Sequence, residues 1–313
     1  MTDDRSAEQP DELTELLEEV RRIEAQSSRL VTSVMAGGYS SVFRGSGIEF
    51  HELREYVDGD DPRSVDWNVT ARVGRPFVKD YVEERELTLC FLLDLSASMS
   101  GGFGIWSARQ MAARVCACLA LAAIKNDDKV GLIAFSEAVD RFVPPRKGIR
   151  HALRIVRDCL ALTGGSRGTE LAPALEFASR ALRRHAILFL VSDFLGEIPK
   201  TALTLCARRH DLVAVRLLTP ELRPPEPRPG DGGLVRLRDP ESRRASVVDW
   251  KSARVRQAWL ERVRAWRERT AGELRRAEID LMDVPIPRSP DRDAVARPIL
   301  EFFRMREQRG AKR

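Results

Sequence analysis

The stretch Leu87-Thr88-Leu89-Cys90-Phe91-Leu92-Leu93-Asp94, followed by Leu95-Ser96-Ala97-Ser98-Met99-Ser100-Gly101-Gly102, decides the fold. Its first half is a continuous apolar run that ends on a carboxylate. A strand with no polar alternation is buried on both faces, and that requires helices on both sides of a parallel sheet. The surrounding chain supplies them. Helices are expected at about 104–126, 149–161, 171–184 and 198–209. Further strands are expected from Lys129 to Phe135, Ala138 to Val143, Ala186 to Ser192 and Leu212 to Leu218. Strands alternating with helices predict an α/β fold with a doubly wound, mostly parallel sheet. The short turn at Ser136-Glu137 leaves no room for a crossover, so one edge strand is expected to run antiparallel.

The flanks divide the rest. Residues 1–30 carry Leu13, Leu16, Leu17, Val20 and Ile23 at spacings of three and four, which predicts an amphipathic helix. Residues 31–86 form a second segment, glycine-rich at first (Gly37, Gly38, Gly45, Gly47), expected to pack on the main domain at 87–219. Residues 220–313 open with a Pro/Gly-rich linker at 220–233. A β-hairpin turning at Asp239-Pro240-Glu241-Ser242 follows, then a long helix at 252–278 with Val255, Trp259, Val263, Trp266 and Leu274 on one inward face. A strand at Ile279 to Val284 and a helix at 292–308 complete the segment.

Ligands of open α/β sheets bind where the strands end, near the reversal in strand order. Asp94 stands at such an end. On a near-extended loop, Asp94, Ser96 and Ser98 point to one side and converge. One carboxylate and two hydroxyls are hard oxygen donors, suited to Mg²⁺, which takes six oxygens and often retains waters. Two later segments can complete the set: Gly164-Gly165-Ser166-Arg167-Gly168-Thr169-Glu170-Leu171, with a hydroxyl at Thr169, and Leu190-Val191-Ser192-Asp193-Phe194, with a carboxylate at Asp193. The alternative is a metal-free loop in which the same side chains cap helix ends and close the turn.

Together, D-x-S-x-S at Asp94–Ser98, Thr169 in Gly-Thr-Glu-Leu and Asp193 in Ser-Asp-Phe resemble the metal-ion-dependent adhesion site of von Willebrand factor A domains. The resemblance implies direct ligation by Ser96, Ser98 and Thr169, with Asp94 and Asp193 acting mainly through waters. Neutral hydroxyls leave such an ion underneutralised, so an open position attracts an Asp or Glu carboxylate from a protein partner. Upstream, Gly45-Ser-Gly-Ile-Glu-Phe-His-Glu-Leu-Arg54-Glu-Tyr56-Val-Asp-Gly59-Asp60-Asp61-Pro-Arg63-Ser-Val-Asp66-Trp67-Asn-Val-Thr-Ala71-Arg72, with Val78-Lys-Asp-Tyr-Val-Glu83-Glu84-Arg-Glu86, resembles domain of unknown function family 58. That resemblance implies work beside a MoxR-type AAA+ ATPase, as an assembly factor or co-chaperone. Arg54, Asp60, Asp61, Arg63, Asp66 and Arg72 are expected to form a charge network there, with Trp67 anchored in the core. A partner-docking surface is the rival reading of the segment. A second metal cluster at Asp60, Asp61 and Asp66 matches no ligand spacing.

Composition narrows the function classes. No run of eighteen apolar residues occurs and the N-terminus lacks a signal-peptide pattern, so a cytoplasmic chain away from the membrane is expected. The five cysteines sit in apolar segments with no C-x-x-C, as reduced buried thiols do. The net charge of +5 is uneven: −5 over residues 1–30 and +7 over 250–313. The C-terminal arginines interleave with an apolar stripe, which reads as a solvated helix face rather than a nucleic-acid surface. There is no G-x-S-x-G elbow, no H-E-x-x-H and no P-loop, so a binding protein is expected, not an enzyme. The competing readings are a metal-independent scaffold docking through residues 45–86, and a metal-dependent hydrolase using Asp94 and Asp193.

Overall fold

The computed structural model describes residues 48–310 except 58–59, 62–63, 84–85, 103, 163, 165–167, 223–232, 242 and 292. It also describes residues 18, 21–22 and 25, which are helical. The rest of the amphipathic helix expected at 1–30, and residues 31–47, lie outside the described residues.

The main sheet is built from β3 (Thr88–Asp94), β4 (Lys129–Phe135), β5 (Val139–Arg146), β6 (Ile187–Ser192), β7 (Asp211–Leu218) and β10 (Asp280–Pro285). Its order is β10-β7-β6-β3-β4-β5, with every pairing parallel except β4–β5. Counted within the sheet, this is the doubly wound 3-2-1-4-5-6 order with an antiparallel edge. The expected mostly parallel α/β sheet is therefore present. The reversal in strand order falls between β3 and β6. The sheet also runs past the boundary drawn at 219: its sixth strand, β10, comes from the C-terminal segment.

The four central strands β3, β4, β6 and β7 bury both faces. Leu89, Phe91 and Leu93 of β3 join one apolar cluster, and Cys90 and Leu92 join the other. The first cluster is filled by α2 (Ala108–Lys125), α3 (Ile149–Ala161) and α7 (Ala296–Gly310), the second by α4 (Leu171–Ala181) and α5 (Lys200–Arg209). Helix α2 starts at a capping box: the Ser107 hydroxyl accepts from the Gln110 N–H, and the Gln110 side chain accepts from the Ser107 N–H. All five cysteines are buried and free. At the edge, β5 carries Pro144 and Pro145, which cannot donate to a further strand.

The long helix α6 (Ala253–Arg276) turns the expected stripe inward, with burial deepening along its length. Val255, Trp259 and Val263 are half-buried, whereas Trp266 and Leu274 are buried. Strands β8 (Leu234–Arg238) and β9 (Ala245–Asp249) form the expected hairpin, antiparallel and separate from the main sheet. Arg306 of α7 pairs with Asp211 and Asp280 at the starts of β7 and β10. Among the described residues no helix is long and apolar enough to cross a membrane.

The segment before β3 contains β1 (Ile48–Glu55), α1 (Trp67–Val73) and β2 (Phe77–Glu83), with β1 and β2 paired antiparallel. Arg54 grips Asp60 through two 2.7 Å bonds, one strut of the expected network. Asp66 caps α1 by accepting from the Asn68 and Val69 N–H groups. Trp67 departs from expectation. It is 69% exposed, because it opens a helix that has no buried residue.

His185 and His210 lie at the starts of β6 and β7, with ring centroids 6.5 Å apart. His210 is buried, and neither ring nitrogen has a hydrogen-bond partner. Burial pushes its pKa down to about 4, and the charges of Arg209 and His185 act the same way. The folded chain thus holds His210 neutral where the unfolded chain takes a proton near its ordinary 6.5. Between those values the unfolded state binds more protons, so stability falls as pH drops from 6.5 to about 4. The loss should approach about 3 kcal/mol at most. Urea denaturation at pH 7 and pH 4.5 checks this. His210→Phe should flatten the dependence, and an equally steep fall in the variant would contradict the assignment.

Candidate metal-binding loops at the switch point

Asp94 ends β3 and Ser192 ends the neighbouring β6, on either side of the reversal in strand order. Their side chains share the sheet face that carries Cys90, Leu92, Leu188 and Leu190. The Asp94 carboxylate is fully buried. One oxygen accepts from the Ser96 N–H at 2.8 Å, and the other accepts from the Ser192 hydroxyl at 2.6 Å. Ser192 in turn accepts from the Phe194 N–H at 3.0 Å, which folds the loop after β6 back over the strand end.

The loop after β3 is not extended as expected. Ser96 is the last extended residue, and Ala97–Ser100 wind into one 3-10 turn. The convergence survives because the turn starts directly after Ser96. The Ser96 and Ser98 hydroxyls stand 3.0 Å apart. Asp193, 6% exposed, accepts from the Leu195 N–H at 3.0 Å and is also bonded by the Ser98 side chain. Asp94, Ser96, Ser98, Ser192 and Asp193 thus belong to one polar cluster.

Thr169 reaches the same end of the sheet by another route. The neighbouring Glu170 N–H donates to the Ser136 carbonyl at 2.9 Å, fastening the loop to the β4–β5 turn. Gly164 presses so closely on Leu95 that a Cβ there would run into the Leu95 carbonyl, which is why this loop position takes glycine. The Thr169 hydroxyl bonds none of the four other predicted residues. It donates to a carboxylate oxygen of Glu241, in the turn of the β8–β9 hairpin, at 3.3 Å.

Electrostatics follow from burial. The Asp94 carboxyl is pushed up to about 6 by burial; the Ser192 bond opposes this and the charge of Asp193 adds to it. Burial also raises Asp193, against bonds from Ser98 and Leu195. Glu241 is raised by burial and then by the charge of Asp193. Behind the cluster lies Arg109 of α2, 8% exposed. It donates to the Leu95 carbonyl at 3.2 Å and to the Leu162 carbonyl, tying the first loop to the glycine-rich one. Burial lowers its pKa while the charge of Asp94 supports it.

Among the described residues, no three His, Cys, Asp or Glu side chains gather as a metal-holding group. The oxygens at this strand end are instead mixed: hydroxyls of Ser96 and Ser98 beside carboxylates of Asp94 and Asp193, with the Thr169 hydroxyl turned to Glu241. Three contributors escaped the sequence reading. Ser192 was discoverable, since parallel pairing sets the residue before Asp193 beside Asp94. Arg109 and Glu241 carried no local signal, because both arrive from distant segments.

The family described as "Protein of unknown function DUF58" matches residues 52–269. Uncharacterized proteins of Mycobacterium bovis and Mycobacterium tuberculosis are 31% identical over 227 residues, which cover 71% of this chain and 70% of theirs. Among solved structures, conserved hypothetical protein BatB from Bacteroides thetaiotaomicron aligns with TM-score 0.45 and 16% identity, over 71% of this chain and 99% of that one. The SpRpn10 VWA domain aligns with TM-score 0.35 and 9% identity, over 68% of this chain and 94% of that one.

Proposed function

The chain belongs to the DUF58 family, and from that premise we propose that it is a non-enzymatic, cytoplasmic protein-binding adaptor whose grip depends on a divalent cation. The observation that carries this reading is the buried pair Asp94 and Asp193 set among serine hydroxyls at the switch point. Two carboxylates drawn into one apolar strand end repel each other unless a proton or a cation intervenes. Arg109 offsets part of the charge of Asp94 from behind. The solvent side offers hydroxyls and carboxylate oxygens, a donor set that fits Mg²⁺.

In this reading Ser96, Ser98 and Thr169 hold the ion, while Asp94 and Asp193 orient bound waters and the serine hydroxyls. The ion supplies one open position with residual positive charge, which takes a carboxylate of the partner. The hydrogen bonds from Ser96 N–H and Ser192 fix Asp94 before any ligand arrives, so little ordering cost is left for binding. The family resemblance makes a MoxR-type AAA+ ATPase, or its client, the partner to try first.

The test is association with that ATPase in Mg²⁺, in chelator, and for Asp94→Ala and Ser96→Ala in Mg²⁺. Binding should survive only in the first condition. Equal affinity in all four rules the metal-bridged reading out. A second reading, metal-independent docking through residues 45–86, is favoured by the exposure of Val57, Trp67 and Val73, at 62%, 69% and 55%. It predicts that Trp67→Ala weakens association while chelator leaves it unchanged.

A further inference from the structure

We propose that the cleft between helix α6 and β7 is a second binding site, for a small ligand carrying one phosphate or carboxylate group, held by Arg267 and Arg275. The cleft has a volume of about 360 Å³ and is lined by Arg216, Arg267, Glu268, Ala271, Gly272 and Arg275. That size falls at the lower end of the range for small-molecule sites. None of its residues belongs to the Asp94 cluster, so the site does not depend on the metal-dependent reading. The two regions meet at Trp266, whose ring N–H donates to the Phe194 carbonyl at 2.9 Å and whose ring lies 5.1 Å from the Arg216 guanidinium.

The charge of the cleft is arranged for an anion. Arg216, the buried member, pairs with Asp283. The same carboxylate also takes one nitrogen of Arg267, at 3.0 Å. One carboxylate thus serves two guanidiniums. Arg275 is exposed and makes no ion pair among the described residues. Three arginines against Asp283 and Glu268 leave one positive charge in excess, which suits a single anionic group rather than a polyanion. Positive charges gathered along one cleft repel, and an anion among them relieves the repulsion. A guanidinium meets such an oxyanion with two parallel N–H bonds. Helix α6 also leaves room for the ligand. Arg267 and Arg275 stand two turns apart, about 12 Å along the axis, with Ala271 and Gly272 between them. A glycine inside a helix is destabilising relative to alanine. Packing does not require it here, because a Cβ at 272 would meet nothing within 4 Å. The missing side chain instead keeps the floor of the cleft open between the two arginines.

The experiment is titration of inorganic phosphate, and separately of acetate, into the full chain in chelator, followed by backbone amide chemical shifts. Saturable shifts in residues 266–276 are expected, and the anion that binds more tightly identifies the group the cleft prefers. Arg275→Gln should weaken that anion about tenfold. Gly272→Leu fills the floor and should abolish binding; with no neighbour in the way it should stay folded, as a thermal melt checks. Arg269→Gln removes an exposed charge from the same helix outside the cleft and should leave binding unchanged. No saturable shifts with either anion in wild type overturns the inference. So does undiminished binding in Gly272→Leu, or equal weakening by Arg269→Gln and Arg275→Gln, which would mark nonspecific attraction to the helix.

Discussion

Asp283→Ala should lower the unfolding free energy by about 3–5 kcal/mol, more than other single truncations on this sheet edge. Asp283 of β10 stands in register with Arg216 of β7. Arg216 is 2% exposed and is held by a two-pronged contact to Asp283, at 2.7 and 3.0 Å. Its third nitrogen donates to the Arg267 carbonyl at 3.1 Å, and the Trp266 ring lies 5.1 Å from its guanidinium. Alanine at 283 leaves that buried cation without its counter-charge, and water reaches it poorly. Replacing both partners, Arg216→Met with Asp283→Leu, removes the charge together with its need for a partner. The double variant should recover most of the loss. Denaturant midpoints of the three proteins decide it. A single variant within about 1 kcal/mol of wild type would show that solvent reaches Arg216 through the half-exposed side occupied by Asp283 and compensates for the lost carboxylate.

On the metal-dependent reading, Asp94→Ala should weaken divalent-cation binding about a hundredfold or more while leaving the chain folded. The carboxylate is the hub of the cluster. It receives Ser96 N–H on one side and Ser192 on the other, so its loss frees both loops at once. The fold itself should tolerate the change. The buried carboxyl is already pushed up to about 6 by its surroundings, so its removal relieves desolvation as well as breaking bonds.

The same residue shows where sequence reading succeeds. Leu87–Asp94 announced a doubly buried strand because a parallel sheet with helices on both faces leaves no polar alternation in its central strands. The expected bounds of β4 and α3 match those observed, since apolar runs and helical periodicity are local signals. The C-terminal segment was harder. Ile279 to Val284 was legible as a strand, but its place beside β7 was not, because pairing order is decided by contacts distant in sequence. Trp67 misled for a related reason: a large aromatic suggests a core anchor, yet its place was set by a short helix that buries no residue. At the site, Asp94, Ser96, Ser98 and Asp193 were recognisable because they sit at strand ends. Thr169 was recognisable as a hydroxyl, but its bond to Glu241 was not, since it depends on how the hairpin returns to the sheet.

Calorimetric titration of Mg²⁺ into the wild-type chain and into Asp94→Ala tests the metal-dependent reading most directly. Saturable binding of one ion by wild type, lost in the variant, is the expected result. No saturable heat in wild type, or the same affinity in both proteins, contradicts it.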